Sequence, residues 1–295
     1  MKFSRLAYPA LALSGVLVSF SCIRDNIPDC PALRVNIVVK DKNYFNVDKV
    51  ELEDRLATDL PFKEYVPTLY WVLRDVETGT VMDRSNGLIR VEGDATSVQP
   101  DICPCVPHGR YVLTVWGGLE SEAQLSENMD KITFHPGNAG GADVYMTNDT
   151  LVYDAWRNDY TVEMERTKGK LIIEKLDIPE GIAKSEKRVS GIFSTLQAYK
   201  FEYSGNTFVE AVTDIVNRKQ TVSKTMLAPS VTKDGTELNI SFLGDKTIDT
   251  RKVNINMRRN ELTVLRYVWD APTQQFKIYV LVNDTWEAVN TMEVE

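Results

Sequence analysis

Over most of the chain, apolar and polar positions alternate with a period of two, the spacing of a strand with one buried face. Leu33, Val35, Ile37 and Val39 alternate with Arg34, Asn36 and Val38. Leu69–Arg74, the turn Glu77-Thr-Gly-Thr80 and Val81-Met82 read as a hairpin. Leu88–Val91, Tyr111–Trp116 (closed by Gly117-Gly118), Ile132–Phe134 and Val144–Met146 complete a first set of predicted strands. A second set follows at Thr161–Glu165, Leu171–Glu174, Leu196–Tyr203, Leu238–Phe242, Val253–Met257, Leu262–Trp269 and Phe276–Val282. Helical signals are few. Leu52, Leu56 and Leu60 have helical spacing, and Ser121–Asn128 and Asp177–Arg188 are each long enough for one short helix.

About seven short strands per half, separated by turn residues, is the pattern of a β-sandwich. The expected fold is all-β: two tandem transthyretin-like β-sandwiches with few short helices. The strand pattern pauses between Tyr153 and Asn158, which predicts one sandwich over residues 33–155 and a second over 156–295. A hydrophobic content of 43% is enough for each half to bury its own core.

The first thirty residues read differently. Lys2 and Arg5 precede an apolar run from Leu6 to Phe20. At about 15 residues it is short for a membrane span, which needs about 20, and suits a secretory signal. Small residues end the run at Ser19 and Ser21, and Cys22 follows at once. That is the layout of a bacterial lipoprotein signal over residues 1–21, with lipid attached to Cys22 and residues 22–32 serving as a tether. The usual aliphatic residue three before the cysteine is replaced by Ser19, and an ordinary signal with a chance cysteine is the other reading. One acyl chain binds a membrane only marginally, whereas two or more hold firmly.

Charge narrows the partners. The chain carries a net charge of −8, and removing residues 1–21 takes away two basic residues and no acids. Such a balance disfavours nucleic acid or an anionic membrane surface as a partner.

Three further cysteines are Cys30, Cys103 and Cys105. Cys103-Pro-Cys105 is too tight for an easy internal bridge, so a disulfide from Cys30 to one of them competes with three free thiols. A metal site of these thiols with His108 and His135 is the minor alternative, because zinc wants four ligands. The two histidines read as loop residues. No nucleophile elbow, zinc-protease helix or phosphate loop occurs, so no catalytic residue, metal or cofactor is expected beyond a covalent lipid. Gly137–Ala142 reads as a turn. Trp71, Trp116 and Trp269 lie within strands and are expected in the core, with a sugar-stacking platform as the functional alternative; Trp286 would cap the last strand. Phe276, Ile278, Val280 and Val282 share one face of the last predicted strand, a candidate edge for strand exchange, although a closing core strand is the simpler reading.

Three stretches carry a family resemblance. Cys22-Ile-Arg-Asp25 is followed by Asp29-Cys30-Pro31 and a strand. Gly109-Arg-Tyr111-Val-Leu-Thr-Val-Trp116-Gly-Gly-Leu119 and the ending Ile278-Tyr-Val-Leu-Val282-Asn-Asp-Thr-Trp286 come in the same order as in that family. The chain resembles the fimbrillin-B-type anchor lipoproteins of type V pili in anaerobic Gram-negative bacteria. The resemblance implies two transthyretin-like domains, a lipid anchor in the outer membrane, and a non-catalytic role in attaching fimbriae, assembling them or limiting their length. It implies fimbrial subunits as partners, joined by strand exchange. Asp149-Thr150-Leu151 also resembles the O-glycan acceptor pattern of envelope proteins in such bacteria, placing a glycan on Thr150 in a predicted linker. The rival reading is a surface glycan-binding lipoprotein.

Overall fold

The computed structural model describes residues 32–102, 106–154, 156–233 and 235–289. The first half supplies β1 (Arg34–Val39), β2 (Thr68–Asp75), β3 (Val81–Arg84), β4 (Ile89–Arg90), β5 (Ser97–Val98), β6 (Gly109–Gly117), β7 (Lys131–Thr133), β8 (Tyr145–Tyr153) and β9 (Asp159–Arg166). Eight of these form one folded-over sheet in the order β3-β2-β6-β8-β9-β1-β5, with β4 pairing β2. Alternation puts Val35, Ile37 and Val39 of β1, Leu69, Trp71 and Leu73 of β2, and Tyr111, Leu113 and Val115 of β6 on one enclosed core. Each such aliphatic side chain contributes roughly 1.5–3 kcal/mol by leaving water. β6 can stop sharply because Gly118 turns there with φ +75°, and a Cβ at that position would meet the Asp143 carbonyl oxygen at 2.0 Å.

The second half supplies β10 (Gly169–Leu176), β11 (Lys184–Ile192), β12 (Thr195–Gln197), β13 (Glu202–Ser204), β14 (Thr207–Asp214), β15 (Gln220–Leu227), β16 (Thr236–Leu243), β17 (Thr247–Ile255), β18 (Leu262–Asp270), β19 (Gln275–Val282) and β20 (Thr285–Val289). Sheets β15-β10-β18-β19-β20 and β14-β11-β16-β17 face each other. Between them lie Leu171, Ile173, Val189, Leu238, Phe242, Leu265, Tyr267, Phe276 and Ile278. The all-β expectation holds. Each half also contains one parallel pair, β1 with β9 and β10 with β18.

The halves buttress one another. The β1–β2 connection lays Tyr44, Val47 and Val50 on Ile172, Leu262 and Val264, on the outer face of the second half. In return, β12 and β13 join β7 in a three-stranded sheet. This small sheet covers Tyr70, Val72, Trp116 and Met146, on the outer face of the first half.

Four local expectations fail. The sequence break at 153–158 is only the turn between β8 and β9; β9 pairs with β1, and Val162 and Met164 join the first core, which therefore runs on past residue 155. Leu52, Leu56 and Leu60 form no helix. Their segment is turns around a short 3-10 turn at Val47–Lys49 and a four-residue helix α1 at Phe62–Tyr65. Asp177–Arg188 is also not helical: β11 occupies its second part, with Ser185, Lys187 and Val189 facing inward. Leu196–Tyr203 is two short strands about a turn rather than one. Ser121–Asn128 keeps only a single 3-10 turn, capped reciprocally by Ser121 and Gln124.

Candidate functional site: strand edges and the junction of the halves

Phe276 and Ile278 are core residues, Val280 is half-buried and Val282 exposed. β19 is paired on both sides, with β18 and with β20, so it is not an edge strand. The last strand of that sheet is β20. Trp286, on β20, lies under the Arg266 guanidinium, 3.9 Å from ring centroid to Cζ. A different opening exists in the first half. β8 and β9 pair only at Tyr145–Arg166 and Met146–Glu165, then splay apart. A polar cleft of about 540 Å³ fills the gap, lined by Lys40, Asn148, Asp149, Thr161, Glu163 and Glu165. Beyond those two pairs, and among the described residues, both flanking strands keep ladder partners on their far sides only, which is the geometry that strand addition needs.

Thr150 is not in a linker. It lies within β8, opposite Val112 of β6, with its side chain exposed. Cys22, Cys30, Cys103 and Cys105 lie outside the described residues.

His135 is buried and bonded at both ring nitrogens: Nδ1 to the Ala139 carbonyl at 2.9 Å, and Nε2 accepting from the Ala228 amide at 3.0 Å. Burial, reinforced by the Lys168 charge, pushes it down to about 4. A neutral ring with both nitrogens taken is a structural pin between the halves. His108 is exposed and meets Tyr153 edge-on at 5.8 Å. Among the described residues, no three His, Cys, Asp or Glu side chains converge on one point. Trp116 is fully buried, with Nε1 donating to the Met129 carbonyl at 2.9 Å. Trp71 is buried too, and Trp269 is half-buried against Phe276.

Sequence reasoning missed the junction. Arg166, at the end of β9, is buried and touches both halves. Its Nε donates to Asp143 at 2.7 Å, one terminal nitrogen to Asn260 Oδ1 at 2.5 Å and the other to the Tyr145 hydroxyl. The guanidinium covers the Tyr44 ring at 4.0 Å. Two residues on, Lys168 Nζ donates to the Gly140 and Ala142 carbonyls at 3.1 and 2.9 Å. Burial raises Asp143 above the usual carboxylate range although Arg166 opposes it, and burial lowers Lys168 to about 8. The run Glu165-Arg-Thr-Lys-Gly-Lys170, between two predicted strands, has no apolar pattern that would mark it.

Two more cations are enclosed at the seam between the two facing sheets, beside edge strand β15. Lys187 Nζ donates to Thr225 Oγ1 at 2.5 Å and Lys175 Nζ to Ser223 Oγ at 3.4 Å. Neither forms an ion pair among the described residues. Burial lowers Lys175 to about 7, with Lys187 adding repulsion, and burial lowers Lys187 to about 8. Below about pH 7 both folded and unfolded chains carry these protons, and the cost of burying the charges is largest. Between there and about 10.5 the unfolded chain binds more protons, so stability climbs with pH. Lys175→Met and Lys187→Met are each expected to raise stability at neutral pH by about 1–3 kcal/mol and to flatten that slope. Thermal denaturation between pH 6 and 10 checks this; a loss of stability in both variants would contradict it.

No protein-family model matches the sequence, and no curated protein matches it either. Solved structures do. A candidate adhesin from Bacteroides ovatus aligns with 92% of this chain and 98% of its own, at 12% identity and TM-score 0.57. A candidate polysaccharide-binding protein from Bacteroides thetaiotaomicron aligns with 87% of this chain and 98% of its own, at 10% identity and TM-score 0.56. The fimbrial anchor protein Mfa2 from Porphyromonas gingivalis aligns more weakly, over 86% and 98%, at 11% identity and TM-score 0.48. The two stronger alignments take in nearly the whole β body, so the chain has the all-β fold of these two Bacteroides structures.

Proposed function

We propose that this protein is a non-catalytic lipoprotein, held in the outer membrane through Cys22, that fastens fimbriae to the cell and takes part in their assembly or in limiting their length. The observation that carries the reading is the alignment of almost the entire β body with a candidate adhesin, in a chain that opens with a lipoprotein-type signal ending at Cys22. The ordered sequence stretches that resemble the fimbrillin-B-type anchors support it. Free main chain suits strand addition by a fimbrial subunit, and it lies at β20 and along the splayed β8 and β9 rather than at β19.

The polysaccharide-binding neighbour favours a second reading, glycan recognition. The tryptophans argue against it. Trp71 and Trp116 are core residues and Trp269 packs on Phe276, so the three form no stacking platform. The two readings part in a pull-down. An epitope-tagged copy recovered from detergent-solubilised envelopes is expected to bring fimbrial subunits with it; recovery of surface polysaccharide and no fimbrial subunit would contradict the fimbrial role.

A further inference from the structure

The end of the first half where the chain emerges has a composition of its own. Ala32, the first described residue, is fixed there: its carbonyl accepts from Asn158 Nδ2 at 3.3 Å, and the Arg34 amide donates to the Asn158 carbonyl at 2.7 Å. The neighbouring β8–β9 turn is tied by Asp154, whose Oδ1 accepts from the amides of Trp156 at 2.8 Å and Arg157 at 2.9 Å. This preformed turn holds Trp156 outward with 79% of its surface exposed. Trp71 and Trp116, by contrast, are buried. Arg157 and Arg34 are exposed beside it, and Val152 and Arg110, opposite one another in the β8–β6 ladder, are exposed on the same rim. The rim also holds Asp159, in register with Arg34.

We propose that this rim is a membrane-facing surface, with the Trp156 indole seated among lipid headgroups and the arginines against their phosphates. The inference rests on Cys22 being lipidated. Ten peptide units separate Cys22 from Ala32. Even fully extended, they reach at most about 35 Å. The rim nearest Ala32 is thus brought to the bilayer by the tether itself. Tryptophan is the residue that gains most at that depth, because its ring is apolar and its N–H still finds a polar partner. An arginine near an anionic surface is drawn to its phosphates. Set against the acidic chain as a whole, a rim that carries Arg34, Arg110 and Arg157 against Asp154 and Asp159, with an outward tryptophan, is a part of the surface that such a bilayer attracts.

The test uses the full lipidated protein from its own cells, reconstituted into phosphatidylethanolamine/phosphatidylglycerol vesicles with brominated acyl chains. Bromine quenches only indoles that reach the lipid. The wild type is expected to float with the vesicles and to lose part of its tryptophan fluorescence, and Trp156→Phe is expected to float equally with that quenching lost. Quenching that persists in Trp156→Phe, or vesicle-bound wild type without quenching, overturns the membrane contact while leaving the anchor intact. Wild type that fails to float, like Cys22→Ala, removes the anchor and this contact with it.

Discussion

Replacing Arg166 with Met is expected to lower the stability of the protein by about 3 kcal/mol, at the low end of what breaking a buried ion pair costs because Asp143 keeps some contact with water. For a chain of this size that is a fall in Tm of about 6–12 °C. The effect is large because one side chain serves several groups. Without it, Asp143 loses its cation, Asn260 and the Tyr145 hydroxyl lose their charged donor, and the Tyr44 ring loses its cover. Asn260 belongs to the second half, where its amide donates to the Lys168 carbonyl at 2.8 Å, so the loss is felt across the junction. Arg166→Lys should be intermediate: it keeps the charge but not the fork that reaches three partners. Scanning calorimetry checks both. A transition in Arg166→Met within 2 °C of the wild type would show that the halves are held by their apolar contacts alone.

Much of the fold was legible, and for a plain reason. β1, β2, β6 and β18 bury every second residue or a continuous apolar run, and that burial is the same physics that makes a period of two readable. β14 and β15 were missed because their pattern is inverted. Val212 and Val222 point to solvent while Ser223 and Thr225 face the seam with Lys175 and Lys187, so no apolar stripe marks the strands. Lys175 itself carried a signal: it shares alternation with Leu171 and Ile173 inside a strand, which puts its amine on the core face. The false helix at Leu52, Leu56 and Leu60 came from spacing whose members share no face: Leu60 packs on the first core, Leu52 on the cluster of Val47 and Val50, and Leu56 is exposed. Its neighbours Val47 and Val50 are drawn instead onto Ile172 and Leu262, a contact over a sequence distance that no local window covers. The last-strand assignment failed by one strand. Thr285–Val289 is only five residues long and mostly exposed, yet it closes the sheet and encloses β19.

Among effects in the cell, the largest is expected from Cys22→Ala. The lipid is the only anchor the account gives the protein, and among the described residues no helix is long and apolar enough to cross a membrane. Each buried methylene contributes about 0.8 kcal/mol, so removing two or more acyl chains changes attachment from permanent to negligible. The two cores are built from residues beyond Ala32, so the substitution leaves them in place. Fatty-acid labelling of the protein should disappear in the variant. If Cys22→Ala and the wild type are labelled equally, the lipid is elsewhere and the tether is misplaced.

The most direct measurement is the position of the fibres. In a strain lacking this protein, and in one producing Cys22→Ala as an exported, folded body, fimbriae counted by electron microscopy should move from the cell surface to the culture supernatant. In the deletion strain they should also be longer than normal, because nothing at the membrane ends their growth. Fimbriae that remain attached at normal number and length in both strains would contradict the anchoring role outright.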